Sequence, residues 1–254
     1  MIIEGNGLEL RCEVEGPETA TAVVFIHGLA ASAEIWSGQA ERLRDAYRTV
    51  RYDLRSHGLS ETVDIPCTRS DLAADLVGLL DALGIPRAVL VGHSGGGVVA
   101  MQTAVDNPER VAALGLVGTA SECNDKTAAW YAETAETAHT AGGASVMCAM
   151  GMKPEGRLAP DGPGCAHVTL AMRTLNAAPL TDALAKVRVP TLIVVGETDF
   201  LGVGGSVILS RAIEGSELEI VTGRGHGVYL EDPDWFAGRL RRFLEERVEV
   251  QAAI

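Results

Sequence analysis

Residues 88–101 read AVLVGHSGGGVVAM and carry the strongest structural signal in the chain. The first four residues form a continuous apolar run, which is typical of a strand covered on both faces. The run ends in Gly92-x-Ser94-x-Gly96, and the apolar residues 98–101 are typical of a following helix. A strand that turns sharply into a helix at a serine strains the serine backbone and projects its hydroxyl beyond the sheet. Ser94 is therefore predicted to be a nucleophile.

Outward from this motif, further short apolar runs predict strands that are also buried on both faces. They lie at residues 22–26, 112–117 and 191–195. Thr68 and Asp71 form a possible capping box at a helix start, and Asp232-Pro233 is typical of another helix start. Strands that alternate with helices predict an α/β fold with a mostly parallel central sheet flanked by helices.

Two segments depart from this rhythm. Residues 8–14 alternate between apolar and charged side chains, which predicts an antiparallel strand at the sheet edge. Residues 120–186 contain no clear buried strand, and a structureless loop of that length is unusual. We predict a helical cap over 120–186, with 1–119 and 187–254 forming the core. The cap methionines, Trp130 and Leu175 either line an apolar pocket or pack the cap onto the core.

Composition limits the partners of this chain. It has 254 residues, 47% of them apolar, and a formal net charge of −13. That charge argues against nucleic acid or an anionic membrane surface as a partner. No apolar run reaches the roughly 20 residues of a membrane span, and the first residues do not resemble a secretory signal. We expect a cytoplasmic protein, monomeric or homodimeric, that acts on a small molecule.

The cysteine and histidine positions predict neither metal nor cofactor. The five cysteines are an odd number without a Cys-x-x-Cys pair, and they are expected to be thiols in a reducing compartment. The six histidines show no spacing typical of metal ligands. The sequence therefore predicts chemistry carried by side chains alone.

A serine hydroxyl is a poor nucleophile unless a base accepts its proton. Among the six histidines, His226 is the best candidate because it lies in the glycine-rich stretch 223–227, after the apolar run at residues 218–221. The imidazole in turn needs a carboxylate to fix its tautomer. Asp199 and Glu197 both follow the strand at 191–195, and we favour Asp199 with Glu197 as the alternative. The order Ser94, acid, His226 is that of one particular triad fold.

Backbone N–H groups complete the predicted site. The strand at 22–26 ends in His27-Gly28-Leu29, where a glycine turn presents the N–H of Leu29. Together with the N–H of Gly95, it is predicted to form an oxyanion hole for a tetrahedral intermediate. We expect His27 to hold this loop in shape rather than to take part in the chemistry.

These motifs together resemble the α/β-hydrolase superfamily, specifically its small members with a helical cap. The resemblance runs from about residue 8 to 247 and rests on the loops around Leu29, Ser94, Asp199 and His226. A fifth segment, residues 53–60, resembles the family's Asp-x-Arg-Gly-His-Gly-x-Ser stretch, which is usually structural. Ser56 replaces its glycine, and the loop after Asp199 lacks the family's usual proline. The sequence therefore does not determine the backbone path of these two turns.

The resemblance implies acyl transfer to water, with esters, lactones and thioesters as favoured substrates. A serine at position 94 speaks against the family's dehalogenases and epoxide hydrolases, which use aspartate there. Hydrolysis of a carbon–carbon bond in a β-diketone or ring-cleavage product uses the same triad and is the first alternative. A receptor that keeps the triad but turns its ligand over slowly is the second. Turnover of simple esters distinguishes them.

Overall fold

A computed structural model describes residues 1–153 and 158–249 of the chain. Its sheet contains eight strands in the order β1-β2-β4-β3-β5-β6-β7-β8 among the described residues. The neighbouring strands from β4 to β8 pair in parallel, whereas β2 is antiparallel to β1 and to β4. The α/β fold class predicted from the sequence is confirmed. The strands are β1 (Ile2–Gly5), β2 (Leu8–Glu15), β3 (Ala22–Ile26), β4 (Arg48–Tyr52), β5 (Ala88–His93), β6 (Val111–Val117), β7 (Thr191–Gly196) and β8 (Glu217–Val221).

The edge position predicted for residues 8–14 is wrong. These residues form β2, which lies between β4 and the edge strand β1. A two-residue turn joins β1 to β2, because Gly5 pairs with Leu8 and both Asn6 and Gly7 have positive φ. Such a turn matches the right-handed twist of a hairpin. Only four residues form β1, too few for a recognisable alternation.

Strand β4 carries no apolar run and was not predicted. Its sequence is Arg-Thr-Val-Arg-Tyr, yet Arg51 is buried. The Arg51 guanidinium forms ion pairs with Glu13 of β2 and with Glu34. A buried charge is tolerated when it is paired in this way, so the strand forms without the apolar pattern that marks the other parallel strands.

Both predicted helix starts are confirmed. Thr68 caps its helix in a reciprocal capping box with Asp71, and Pro233 is the first residue of the last α-helix. The α-helices are α1 (Ser37–Leu43), α2 (Arg69–Ala82), α3 (Gly95–Asp106), α4 (Asp125–Ala141), α5 (Gly143–Ala149), α6 (Gly162–Arg173), α7 (Thr181–Leu184), α8 (Gly204–Ala212), α9 (Val228–Glu231) and α10 (Pro233–Leu244).

The two faces of the sheet bury separate apolar clusters. In β3, Val24 and Ile26 belong to the cluster that includes α2 and α3, whereas Val23 and Phe25 belong to the cluster that includes α1 and α10. Alternate residues of a strand point to opposite faces. A strand covered on both faces therefore reads as one continuous apolar run.

The helices α4, α5, α6 and α7 lie in the chain between β6 and β7, and we call them the cap helices. Met147 is buried against Val146 and Cys165 in a small cluster that also contains Ala30 of the core. The division at 120 and 186 stays a prediction. Among the described residues, no helix is both long and apolar enough to cross a membrane.

Candidate active site

The strand-to-helix turn predicted at Ser94 is present, with φ 52° and ψ −118° at that residue. This backbone conformation is rare for a residue with a side chain and costs of the order of 1–3 kcal/mol. Close packing holds the turn in place. A Cβ on Gly96 would lie 2.3 Å from the carbonyl oxygen of Ile26, so only glycine permits this approach of α3 to β3.

Four adjacent strands deliver the residues of the site to one edge of the sheet. Ser94 follows β5, Gly118 follows β6, Asp199 follows β7 and His226 follows β8. The strands are neighbours and parallel, so their carboxyl ends meet at the same edge, where ligands of open α/β sheets bind. The topology therefore brings together three side chains that lie up to 132 residues apart in the chain.

His226 and Asp199 form a direct pair. His226 Nδ1 lies 3.0 and 2.9 Å from the two carboxylate oxygens of Asp199. Asp199 is only 7% exposed, and it also accepts a hydrogen bond from the Leu201 N–H at 2.9 Å. An imidazole that donates through Nδ1 keeps its Nε2 free to accept a proton. The pair thus has the tautomer that a general base requires.

Glu197, the alternative acid, lies elsewhere. Its Oε2 accepts a hydrogen bond from the Gly223 N–H at 2.9 Å, and its side chain is exposed. The loop between β7 and α8 has no proline after Asp199. A hydrogen bond from Gly202 N to Asp199 O, at 2.8 Å, forms its turn instead. The geometry therefore favours Asp199 over Glu197 as the partner of the imidazole.

Gly118 packs directly against the Asp199–His226 pair. It has φ +53°, and a Cβ at this position would lie 3.1 Å from both Asp199 Oδ2 and His226 Nδ1. The Ser94 N–H donates to Val117 O at 2.9 Å, which fixes the turn beside β6. Among the described residues, no hydrogen bond joins the Ser94 hydroxyl to His226. In enzymes without substrate this contact is often long.

Two contacts that support His226 were missed from the sequence. His93 Nε2 donates to the backbone oxygen of His226 at 3.1 Å, and Tyr229 Oη donates to His93 Nδ1 at 3.3 Å. Burial is the main cause that lowers the pKa of His93 well below its ordinary value, and the nearby His226 lowers it further. The ring is therefore neutral. His93, the residue before Ser94, thereby anchors the loop that carries His226. Nothing in a single sequence links positions 93 and 229.

The predicted oxyanion donors lie side by side. The Leu29 nitrogen is 3.5 Å from the position of a Cβ on Gly95, so the two backbones are in contact. Within residues 1–153 and 158–249, the Leu29 N–H donates no hydrogen bond. Gly95 begins α3, where N–H groups also lack intrahelical acceptors. Two donors at a helix N-terminus favour negative charge in front of them.

Two buried histidines hold the loop that carries Leu29. His27 Nε2 accepts from Leu54 N at 2.9 Å, and His57 Nε2 accepts from Ala30 N at 3.3 Å. Burial lowers the pKa of each imidazole to about 4, which keeps both rings neutral. This arrangement agrees with the structural role expected of His27.

The 53–60 segment has the structural contacts that the resemblance implies. Asp53 accepts from Ala33 N at 2.6 Å and from Leu59 N at 3.0 Å, and Arg55 pairs with Asp75 at 2.6 Å. Ser56 adopts the left-handed conformation, with φ 58°. Its hydroxyl accepts from Val63 N at 2.9 Å. Serine therefore accommodates the turn in which the family has glycine.

Ser94 opens into a cavity of about 360 Å³ between the core and the cap helices. Tyr131 and Leu175 line it from the cap side, and Ile208 lines it from α8. Trp130 is not among the lining residues, and Met147 and Met172 are buried in apolar clusters. The structure thus places Leu175 at the cavity, whereas these methionines pack the cap. In the described part of the chain, no three His, Cys, Asp or Glu side chains are grouped to hold a metal ion.

Comparison with known families gives a clear result. The profile of the alpha/beta hydrolase family matches residues 23–239, which is most of the chain. This chain belongs to the alpha/beta hydrolase family. The match includes Ser94, Asp199, His226 and Leu29, so the five motifs that resembled this family lie within it. The protein is a hydrolase.

Individual relatives of this hydrolase carry several activities. It is 27% identical over 253 aligned residues to 3-oxoadipate enol-lactonase 1 of Acinetobacter baylyi, and 93% of each chain is covered. It is 42% identical to "Putative carbamate hydrolase RutD" of Variovorax paradoxus, over 48% of this chain and 46% of that protein. Its structure matches a thermophilic esterase from Thermogutta terrifontis with a TM-score of 0.88 at 26% identity, covering 97% and 98% of the two chains.

Proposed function

We propose that this hydrolase cleaves a small carboxylic ester, lactone or thioester through an acyl-enzyme on Ser94. The observation that carries the proposal is the pair of His226 with the buried Asp199 at the carboxyl ends of the strands, next to a strained serine turn. Strain of this kind persists only where the surroundings enforce it, and it is concentrated at functional sites. The named relatives, an enol-lactonase and an esterase, support the same reaction class.

In the first step, His226 Nε2 accepts the proton of the Ser94 hydroxyl while Oγ attacks the substrate carbonyl carbon. Asp199 stabilises the imidazolium that forms and holds the ring in place. The imidazolium then donates its proton to the leaving oxygen or sulfur, and an acyl-enzyme remains. A water molecule, deprotonated by His226, releases the acid and restores Ser94.

The N–H groups of Leu29 and Gly95 would hold the oxyanion of each tetrahedral intermediate. A donor of this kind typically contributes about 10²–10³-fold in kcat. The loop around Leu29 is fastened through His27 and His57, so its N–H is oriented before the substrate arrives. A donor that is already oriented has no reorganisation cost during the reaction.

Labelling with a fluorophosphonate tests this proposal, combined with peptide mapping and a series of 4-nitrophenyl esters from acetate to octanoate. We expect one adduct per chain, on Ser94, and rapid ester turnover. An adduct without ester turnover would favour carbon–carbon bond hydrolysis or a slowly turning receptor. Absence of an adduct would overturn the nucleophile assignment.

We further propose that the protein works in the cytoplasm as a monomer or homodimer. The five cysteines Cys12, Cys67, Cys123, Cys148 and Cys165 are all thiols, as a reducing compartment favours. Light scattering after size exclusion measures the assembly state, and a mass above that of two chains would contradict the second part.

A further inference from the structure

Glu122 gives the cavity beside Ser94 a negative charge. It is the only Asp, Glu, Lys, Arg or His among the described residues that line this cavity. The other lining residues are uncharged, and Asn124 and Thr127 lie near it at the start of α4. A carboxylate in a concave site is screened by water less than one on an open surface.

Two hydroxyl groups hold the Glu122 carboxylate in place. Thr181 Oγ1 donates to Glu122 Oε2 at 2.6 Å, and Ser121 Oγ lies 2.8 Å from Thr181 Oγ1. Because the Thr181 proton is directed at the carboxylate, Ser121 donates to Thr181. Within the described residues, Glu122 Oε1 accepts no hydrogen bond and no basic side chain forms an ion pair with Glu122. One carboxylate oxygen is therefore left for a ligand.

The helix termini at the cavity do not cancel this charge. The N-terminus of α4 is capped by Asn124, whose Oδ1 accepts from Thr127 N at 2.9 Å, and its first turn contains Asp125. The N-terminus of α8 also borders the cavity, through Gly204 and Gly205. The N-terminus of α3, at Ser94, borders it as well. Each dipole contributes about half a positive charge that acts mainly within its own first turn. Among the described residues, neither terminus forms a hydrogen bond with the Glu122 carboxylate.

We propose that Glu122 is a specificity-determining residue, which selects uncharged or cationic substrates with a hydrogen-bond donor and disfavours substrates that carry a free carboxylate. This inference rests on the proposed ester or lactone hydrolysis at Ser94. A lactone made from a dicarboxylic acid keeps one free carboxylate, and the name of the Acinetobacter relative refers to such an acid. The substrate of this chain would then differ in charge from that class.

Three methyl esters of matched length test the proposal. Monomethyl glutarate is anionic, and methyl 4-carbamoylbutanoate is its uncharged isostere with N–H donors. Methyl 4-(trimethylammonio)butanoate is cationic and has no N–H donor, so it reports the effect of charge alone. Methanol is a small leaving group, so the variable end of each ester is the part that fills the cavity. We expect kcat/KM for the carbamoyl ester to exceed that for the anion by about tenfold or more.

The variant Glu122→Gln keeps an acceptor for Thr181 while it removes the charge. The ratio of kcat/KM between the carbamoyl ester and the anionic ester should fall toward one. The matched control is Glu133→Gln, which removes the same charge from the exposed side of α4 and should keep the wild-type ratio. A ratio near one in the wild type, or an unchanged ratio in Glu122→Gln, would overturn the role of Glu122.

Binding to Ser94→Ala separates this proposal from the proposed function. Calorimetric Kd values for the three esters report the charge preference without turnover. Weaker binding of the anion, together with a wild type that hydrolyses none of the esters, would support the role of Glu122 and contradict ester hydrolysis. Equal binding with rapid turnover of all three would contradict the role of Glu122 alone. Absence of binding by all three would contradict both.

Discussion

The proposed chemistry depends on where one proton sits on His226. Donation from Nδ1 to Asp199, at 2.9 and 3.0 Å, leaves Nε2 as the acceptor for the Ser94 proton. A second imidazole, His93, donates a hydrogen bond to the backbone oxygen of His226 and stays neutral because it is buried. The Asp199 carboxylate thus fixes the proton of His226 on Nδ1. The backbone oxygen of His226 in turn fixes the proton of His93 on Nε2.

The first prediction compares the two carboxylates of the acid loop. Asp199→Asn keeps the shape but directs an amide at Nδ1, so the imidazole loses its preferred tautomer. We expect kcat for 4-nitrophenyl butyrate to fall by about 10⁴-fold. Glu197→Gln, at a side chain that accepts a hydrogen bond from Gly223 N, should change kcat little. Steady-state kinetics on both variants decides this, and the reverse order of effects would make Glu197 the acid.

The residues of the proposed triad could be predicted from the sequence because each follows an apolar strand in a glycine-rich or acidic loop. Parallel strands deliver such loops to one edge, so local patterns were sufficient to propose Ser94 and His226 and to limit the acid to Asp199 or Glu197. The contacts of His93 with Tyr229, and the position of Glu122 at the cavity, depend on packing between distant segments. No local pattern marks them, so they required the structure.

At the scale of elements, the loops at the carboxyl edge are held from outside the site. The loop that carries Leu29 depends on two neutral histidines, His27 and His57, whose ring nitrogens accept backbone N–H groups. Protonation of either ring would turn an acceptor into a donor and break its contact. The hydrogen bonds that hold the Leu29 loop therefore depend on pH.

The second prediction concerns acid stability. The pKa of both His27 and His57 is lowered by burial from 6.5 to about 4. Between these values the unfolded chain binds more protons than the folded one, so the free energy of unfolding falls as pH falls through this window. Urea unfolding between about pH 7 and 5 should show this slope. It should be shallower in His57→Gln and unchanged in His139→Gln, since His139 is exposed. Equal slopes in all three proteins would contradict the assignment.

The third prediction concerns the start of α2. Thr68 Oγ1 accepts from Asp71 N at 3.1 Å, and the Asp71 carboxylate accepts from Thr68 N at 2.7 Å. Thr68→Ala removes one half of this capping box and should lower the free energy of unfolding by about 1 kcal/mol. Thr140→Ala, an exposed threonine within α4, is the matched control. Urea unfolding measures both, and equal effects would mean that the cap contributes nothing specific.

Most elements could be predicted from the sequence because the strands that are buried on both faces read as apolar runs. The misplaced strand β2 and the two missed strands β1 and β4 have physical reasons. Strand β1 is a four-residue hairpin arm joined to β2 by a tight turn, and β4 buries Arg51, which forms ion pairs with Glu13 and Glu34. Ion pairing and a tight turn replaced the apolar pattern there, so sequence periodicity could not reveal them.

At the scale of the whole molecule, the cavity exists because the cap helices lie over the sheet edge. Leu175 follows α6, is 2% exposed and lines the cavity opposite the core. A volume of about 360 Å³ lies at the small end of ligand pockets. The cap, rather than the proposed triad, would then determine which acyl chains are accepted.

The fourth prediction is that Leu175→Ala enlarges the cavity. The kcat/KM maximum across 4-nitrophenyl esters from acetate to octanoate should move to longer chains. Leu180→Ala is the matched control, because Leu180 is also buried in the main cluster but does not line the cavity. Each change should cost about 2–5 kcal/mol of stability, yet only the first should shift the profile. The same shift in both variants would contradict the position of Leu175.

The central claim, that Ser94 carries the acyl group, is tested most directly by acid-quenching the protein during turnover of 4-nitrophenyl butyrate and measuring its mass. We predict a mass increase of one butyryl group, located by peptide mapping on Ser94 and absent from Ser94→Ala. Turnover with no acylated protein, or with the acyl group on another residue, would contradict the account.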